Sequence, residues 1–272
     1  MSKKKVLIVT QEMHPYTALS EVSEIARKLP QYAHEKGMEI RLLMPRFGVI
    51  NERRHRLHEV VRLSGMNIIV DDDDYPLIIK VASLPEARIQ VYFLDNEDFF
   101  KRKAMFEDEE GKPFEDNMDR MIFFCKGVIE TVKKFGWPPD IIHCHGWMTS
   151  LIPLFIKEAY KTEPLFQQSK VVYSAYEDKY SQAFDESFYE KASINNLAEE
   201  DLMAFQKGVK VVLTKGAVEC SDGVIIADEK MAEMVKEFAA NSGVPVLEAG
   251  EDYLADYIEF YKKLLTEEEV EG

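Results

Sequence analysis

The sequence predicts an α/β fold built on a doubly wound, mostly parallel sheet. Its apolar runs are short, rich in β-branched residues and without alternation, as expected of strands covered on both faces. Segments with helical spacing of apolar residues follow these runs, and the strand–helix order repeats along the chain. A chain of 272 residues can bury one large core, so we predict a single domain over residues 1–249. A C-terminal helix with an acidic tail, residues 250–272, is predicted to dock on that domain.

The chain begins as a β–α–β unit. Lys5–Thr10 is the predicted first central strand, and the apolar positions after it predict a helix that ends at Pro30. Gly37 ends a second short helix, and Ile40–Met44 forms the next strand of the unit.

Residues 57–94 contain strand-like runs with no helix between them, which predicts an antiparallel β meander inserted beside the parallel sheet. The runs are Leu57–Val61, Met66–Val70, Leu77–Val81 and Ile89–Leu94. Between two of them, the consecutive acids Asp71–Asp74 predict a solvated hairpin turn, because such a run rarely meets the ligand geometry of a calcium site. We therefore predict no metal site.

A long helix, Asp116–Phe135, leads to the strand that organises the predicted site. The loop before this helix, residues 99–115, mixes charged residues with phenylalanine, and loops of that length are often functional. The strand after it, Asp140–Cys144, turns directly into another helix. Such turns lie at the carboxyl edge of a parallel sheet, where ligands bind. We therefore predict His145 and Trp147 on the rim of a cleft.

The second half continues the strand–helix alternation. The predicted strands are Lys170–Ala175, Gly223–Ala227 and Val244–Leu247, and the predicted helices are Glu199–Leu213, Lys215–Cys220, Glu229–Ala240 and Tyr253–Leu265.

Charge and cysteine content exclude several classes of function. Lys and Arg number 34 and Asp and Glu number 49, and the net charge of −15 repels phosphodiester backbones and anionic lipid. We therefore predict no nucleic-acid and no membrane partner. Cys125, Cys144 and Cys220 form no CxxC pair, and the apolar run of residues 6–9 is too short for a signal peptide. These features argue against a disulfide framework, a zinc site and an export signal, and they predict a cytoplasmic protein. We also expect no cofactor.

Sequence motifs in register resemble those of one enzyme family. They are a strand ending in Glu-x-x-Pro (Val6–Pro15), the turn Pro45–Gly48, the strand Val91–Asn96, the helix start Asp116–Phe123 and the segment Pro139–Thr149. This set is similar to the N-terminal domain of bacterial glycogen synthases and plant starch synthases, the family-5 glycosyltransferases of GT-B architecture. The resemblance extends from Lys4 to Glu229 and implies a Rossmann-like GT-B half domain.

The departures from the family pattern lie where its chemistry takes place. The Lys-Thr-Gly-Gly turn, which in the family holds the donor's phosphate and sugar, reads Ala18-Leu19-Ser20-Glu21 here. The family's His-Asp-Trp-His reads His145-Gly146-Trp147-Met148, and its His-Asn pair reads Tyr176-Glu177. Too few residues follow Ala227 for the family's second, donor-binding domain, so we expect that domain to be absent.

The resemblance implies a set of candidate site residues. His145 is the best candidate for a catalytic residue, although a rim histidine bonded to a neighbouring carbonyl is the alternative. Trp147 is either a sugar-stacking platform or a core anchor of its helix. The predicted substrate-binding residues are His145, Trp147, Tyr176, Glu177, Tyr180 and Asn117. Tyr176, Glu177 and Tyr180 have drifted loop residues as their alternative.

These considerations leave one leading hypothesis and two alternatives. The leading hypothesis is a glycogen or starch synthase-like accessory domain that binds α-1,4-glucan or maltooligosaccharide weakly and does not transfer glucose alone. The second is an active α-1,4-glucan glucosyltransferase with a nucleotide-diphosphoglucose donor, alone or completed by a partner chain. The third is an interaction or scaffold domain without a sugar site. A protein partner or a homo-oligomer remains open.

Overall fold

A computed structural model describes residues 3–85, 87–194 and 197–271, and it contains one large mixed sheet. The strands are β1 (Lys5–Thr10), β2 (Glu39–Pro45), β3 (His58–Glu59), β4 (Met66–Val70), β5 (Asp73–Ser83), β6 (Gln90–Asp95), β7 (Ile141–His145), β8 (Lys170–Ala175), β9 (Gln206–Lys207), β10 (Lys210–Val211), β11 (Gly223–Ile226) and β12 (Val246–Glu248). The main sheet has the order β12-β11-β8-β7-β1-β2-β6-β5-β3, with β4 paired to β5. From β12 to β6 all pairs are parallel, which confirms the predicted fold class.

Helices cover both faces of this sheet. They are α1 (Glu21–Glu35), α2 (Glu52–His55), α3 (Glu97–Phe100), α4 (Asn117–Phe135), α5 (Leu151–Leu154), α6 (Ser187–Ala192), α7 (Glu199–Leu202), α8 (Leu213–Glu219), α9 (Ala232–Ser242) and α10 (Tyr253–Glu271). Successive residues of β7 face opposite layers: His143 contacts Tyr261 of α10, whereas Cys144 faces Cys125 of α4. Helices α1 and α10 contact each other on one face, and α4, α5, α8 and α9 contact one another in sequence on the other.

The predicted meander is antiparallel, but its order differs from a simple up-and-down meander. Strand β5 pairs antiparallel with β3, β4 and β6, so it is the central strand of this region. Strand β6 also pairs with β2 in parallel, which joins the region to the parallel part of the sheet. Of the strand predicted over Leu57–Val61, only the two residues of β3 form a strand. Asp71 and Asp72 form the turn between β4 and β5, with Asp71 at φ +56°, which confirms the predicted hairpin.

Two predicted helix boundaries are wrong. Helix α1 continues through Pro30 to Glu35, so no separate second helix forms before Gly37. Proline removes one backbone donor there, but the helix buries Leu29, Pro30 and Ala33, and this burial outweighs the local cost.

The helix predicted over Glu199–Leu213 is interrupted by a β hairpin. Helix α7 ends at Leu202, and β9 and β10 follow, with Gly208 between them at φ +65°. Phe205 is fully buried against Gly216 of α8, where a Cβ would lie 2.4 Å from its ring. This packing turns the chain before α8 and overrides its helical propensity.

Candidate functional site

The carboxyl edge of the sheet places His145 at the end of β7, but it does not lie on the rim. Its side chain is fully buried, and Nδ1 lies 3.1 Å from the hydroxyl of Tyr176 at the end of β8. The imidazole stacks on His143 with ring centroids 3.9 Å apart. Burial lowers the pKa of His145 to about 3, so the ring is neutral at physiological pH. Nε2 is buried and has no hydrogen-bond partner among the described residues.

Position 146 requires a glycine for two reasons, the backbone conformation and the side chain of Gln11, a neighbour that the sequence reasoning missed. Its φ is +82°, and a Cβ at this position would lie 2.3 Å from Oε1 of Gln11. The same oxygen accepts a hydrogen bond from the backbone N–H of Met148 at 3.3 Å. Gln11 therefore occupies space that a side chain at position 146 would need. Only its position directly after β1 in the sequence could have indicated this contact.

Trp147 also lies beneath the rim, with 3% of its surface exposed. Its ring contacts Phe106 at 5.2 Å, Tyr180 at 5.9 Å and Phe184 at 6.2 Å between centroids. The indole thus joins the turn after β7 to the loop before α4 and to the segment after β8. This arrangement matches the core-anchor alternative.

Asn117 and Arg120 hold the loop of residues 99–115 in place. Asn117 donates from Nδ2 to the carbonyl of Phe106 at 2.8 Å, and its Oδ1 accepts from Arg120 at 2.8 Å. The buried Arg120 also donates to the carbonyls of Phe99 and Met105 at 2.8 and 2.6 Å. Burial lowers the pKa of Arg120 to about 9. Both polar groups of the Asn117 side chain are therefore engaged within the protein.

The remaining predicted residues separate. Tyr180 is half-buried and lines a cleft of about 410 Å³ between the turn after β1, the turn after β2 and the loop before α4. Glu177 is exposed and forms an ion pair with Lys230 at 2.6 Å. The structure thus brings together His145 with Tyr176 and Trp147 with Tyr180. Asn117 reaches the second pair through Phe106.

Glu12 is the most informative residue that the sequence reasoning did not single out. Its side chain is buried, and Oε2 accepts the backbone N–H groups of Leu19 and Ser20 at 2.8 and 3.0 Å. Oε1 accepts the hydroxyl of Ser20 at 2.6 Å. Ser20 in turn caps α1 by accepting the N–H of Val22. The Glu12 carboxylate is therefore the hydrogen-bond acceptor for the backbone N–H groups that precede α1. The place of Glu12 in the Glu-x-x-Pro motif was the sequence feature that could have indicated this role.

Comparison with known proteins identifies the family. The family model described as the starch synthase catalytic domain, of glycosyltransferase family 5, matches residues 5–247. The chain belongs to this family. It is 42% identical over 169 residues to the glycogen synthase of Chlorobium limicola and 43% identical over 169 residues to that of Chlorobaculum tepidum. Each match covers 62% of this chain and 35% of the synthase, so the chain matches about a third of these relatives' length.

The fold comparison agrees with the sequence comparison. The structure is similar to the catalytic domain of starch synthase IV from Arabidopsis thaliana, with a TM-score of 0.72 and 19% identity. The match covers 96% of this chain and 50% of that one. The fold is therefore that of one half of a GT-B glycosyltransferase. Within the part of the chain that the structure describes, no helix combines the length and apolarity needed to cross a membrane.

Proposed function

We propose that this chain is a glucan-binding accessory domain of α-glucan metabolism that does not transfer glucose by itself. The observation that carries the proposal is the segment Ala18-Leu19-Ser20-Glu21 at the start of α1, which stands where the family has the Lys-Thr-Gly-Gly that holds the donor's phosphate and sugar. Amides at the start of a helix bind phosphate because they present N–H donors and a partial positive charge. Here the lysine and both glycines are replaced, and Glu21 adds a carboxylate at the first residue of the helix.

The surroundings of α1 also disfavour an anionic donor. Glu21 and Glu24 lie in the first turn of the helix, and Glu21 stands where the resemblance would require the second glycine of Lys-Thr-Gly-Gly. A nucleotide diphosphate approaching this turn meets the exposed carboxylates of Glu21 and Glu24, in a chain whose net charge is −15. Like charges at such short range oppose binding.

A neutral oligosaccharide meets no such penalty. The cleft beside Tyr180 has a mainly apolar lining that includes Leu19 and Val49, which are 59% and 41% exposed. Aromatic and aliphatic surfaces of this kind suit the CH faces of glucose rings. The structurally similar starch synthase IV domain is bound to ADP and acarbose. We propose that this chain retains affinity for the glucan and has lost affinity for the nucleotide.

The proposal predicts no glucosyl transfer by the purified chain. The expected incorporation of labelled glucose from ADP-glucose into glycogen equals that of a blank without enzyme, because donor positioning and charge stabilisation are both lost. His145→Ala is the matched control, since it separates activity of this chain from that of a contaminating synthase. Turnover above the blank that His145→Ala abolishes would support the alternative, an active glucosyltransferase.

A cytoplasmic location without cofactor remains a prediction.

A further inference from the structure

A second cleft lies on the other side of the first turn of α1. It has a volume of about 420 Å³ and is bounded by the first turns of α1 and α10 and by the carboxyl ends of β11 and β12. Ile25 and Ile226 supply apolar surface, Tyr253 and Tyr257 supply aromatic rings, and Glu21 and Glu24 supply carboxylates. Pockets of this volume accept small ligands.

Two tyrosines of α10 form a fixed aromatic wall of this cleft. Tyr257 is buried, and its ring meets that of the half-buried Tyr253 edge-on, with centroids 5.9 Å apart. Asp256 accepts the backbone N–H of Gly250 at 2.8 Å and so fixes the segment that leads into α10. The other lining residues are small, which leaves room beside the Tyr253 ring: Ala227, Ala249 and Gly250. The hydroxyl of Tyr253 has no hydrogen-bond partner among the described residues.

The charges at this cleft select the class of ligand. Glu21 and Glu24 are exposed, and the only ion pair between them and described residues is the 3.8 Å contact of Glu24 with Lys28, which solvent weakens. Carboxylates repel phosphates and carboxylic acids, but each accepts hydrogen bonds from adjacent hydroxyl groups. An aromatic ring beside two such acceptors matches a neutral sugar, whose CH face stacks while its hydroxyl edge donates.

We propose that the cleft between α1 and α10 is a second subsite for the same α-1,4-glucan that the proposed function assigns to the cleft beside Tyr180. This inference rests on the proposed function. The two clefts flank one short segment, since Leu19 lines the first and Glu21 lines the second. Helix α10 lies outside residues 5–247, the part that the family model matches. The aromatic side of the subsite, Tyr253 and Tyr257, therefore lies outside the part that matches the family.

Titration with maltoheptaose, followed by calorimetry and by amide NMR shifts, tests the subsite. Tyr253→Ala should weaken binding about five- to tenfold, the loss expected for one stacking contact. The matched control is Tyr32→Ala, because Tyr32 is a half-buried tyrosine near the other end of α1. This control should leave the affinity unchanged. In the wild type, the amides of Ala249 and Gly250 should shift on binding.

The possible outcomes separate the two proposals. If the wild type binds maltoheptaose and Tyr180→Ala weakens it while Tyr253→Ala does not, the proposed function stands and the second subsite is wrong. If the wild type does not bind, both fall. If Tyr253→Ala does not fold, the double variant Glu21→Gln/Glu24→Gln decides, because its exposed side chains are not needed for packing. It should bind about threefold more weakly, and unchanged affinity would overturn the subsite.

Discussion

At the scale of single residues, the two histidines of β7 are the most unusual groups in the protein. Both imidazoles are fully buried, and burial lowers the pKa of each; the neighbouring His145 lowers that of His143 further. The hydrogen-bonding partners of the pair are neutral: the hydroxyls of Tyr261, Ser174 and Tyr176. Each ring is therefore neutral in the folded protein and charged in the unfolded chain below its ordinary pKa of 6.5.

This difference predicts loss of stability in mild acid. The contribution is fully present above pH 6.5 and is lost as the pH falls from 6.5 towards 3, because only the unfolded chain takes up the protons. From pH 7.0 to 5.5, the two histidines together should lower the free energy of unfolding by about 2–3 kcal/mol. His145→Gln should lose about half of this pH dependence. Urea unfolding of the wild type and of His145→Gln at the two pH values measures this dependence. An equal change in the free energy of unfolding for both proteins would contradict the role given to His145.

At the scale of elements, α10 is held to the sheet by apolar packing and by polar contacts of its tyrosines. Over residues 253–266, where burial is described, its buried side chains are Tyr257, Ile258, Phe260, Tyr261 and Leu264. Phe260 and Leu264 pack on Gly223 of β11, where a Cβ would lie 2.8 Å from each of them. The hydroxyl of Tyr261 bonds Nδ1 of His143. Burial of these groups against β7 and β11 secures the helix over one face of the sheet.

The contact between Tyr261 and His143 gives a test with a matched control. Tyr261→Phe leaves Nδ1 of His143 buried without a partner and should lower the free energy of unfolding by about 1–3 kcal/mol. Tyr253→Phe also removes one hydroxyl from α10, but that hydroxyl has no partner among the described residues, so stability should stay within about 0.5 kcal/mol of the wild type. Thermal unfolding compares them. Equal stability of both variants would show that the histidine contact contributes nothing.

Elements buried on both faces could be predicted from the sequence closely. Strands β1 and β8 have the predicted bounds because an uninterrupted apolar run has only one place in a parallel sheet. The hairpin of β9 and β10 could not be predicted, because the contact of Phe205 with Gly216 that directs it is tertiary. The same reason applies at the site. Motif matches located His145 and Trp147, but burial by Tyr176 and Phe106 depends on loops that only the fold brings together.

At the scale of the whole molecule, the chain combines a conserved architecture with an altered edge. It belongs to the starch synthase catalytic domain family, and its sheet and helices have the arrangement of a GT-B half. Its carboxyl edge presents two clefts beside the start of α1, where Glu21 stands in place of a glycine of the family motif. Neutral glucan and anionic nucleotide should therefore behave oppositely at this edge.

Parallel calorimetric titrations with maltoheptaose and with ADP test this central claim most directly. We expect maltoheptaose to bind with a Kd near 1 mM, about −4 kcal/mol, because a few stacking contacts give no more. ADP should show no heat of binding at the same concentrations. Tighter binding of ADP than of maltoheptaose would contradict the account.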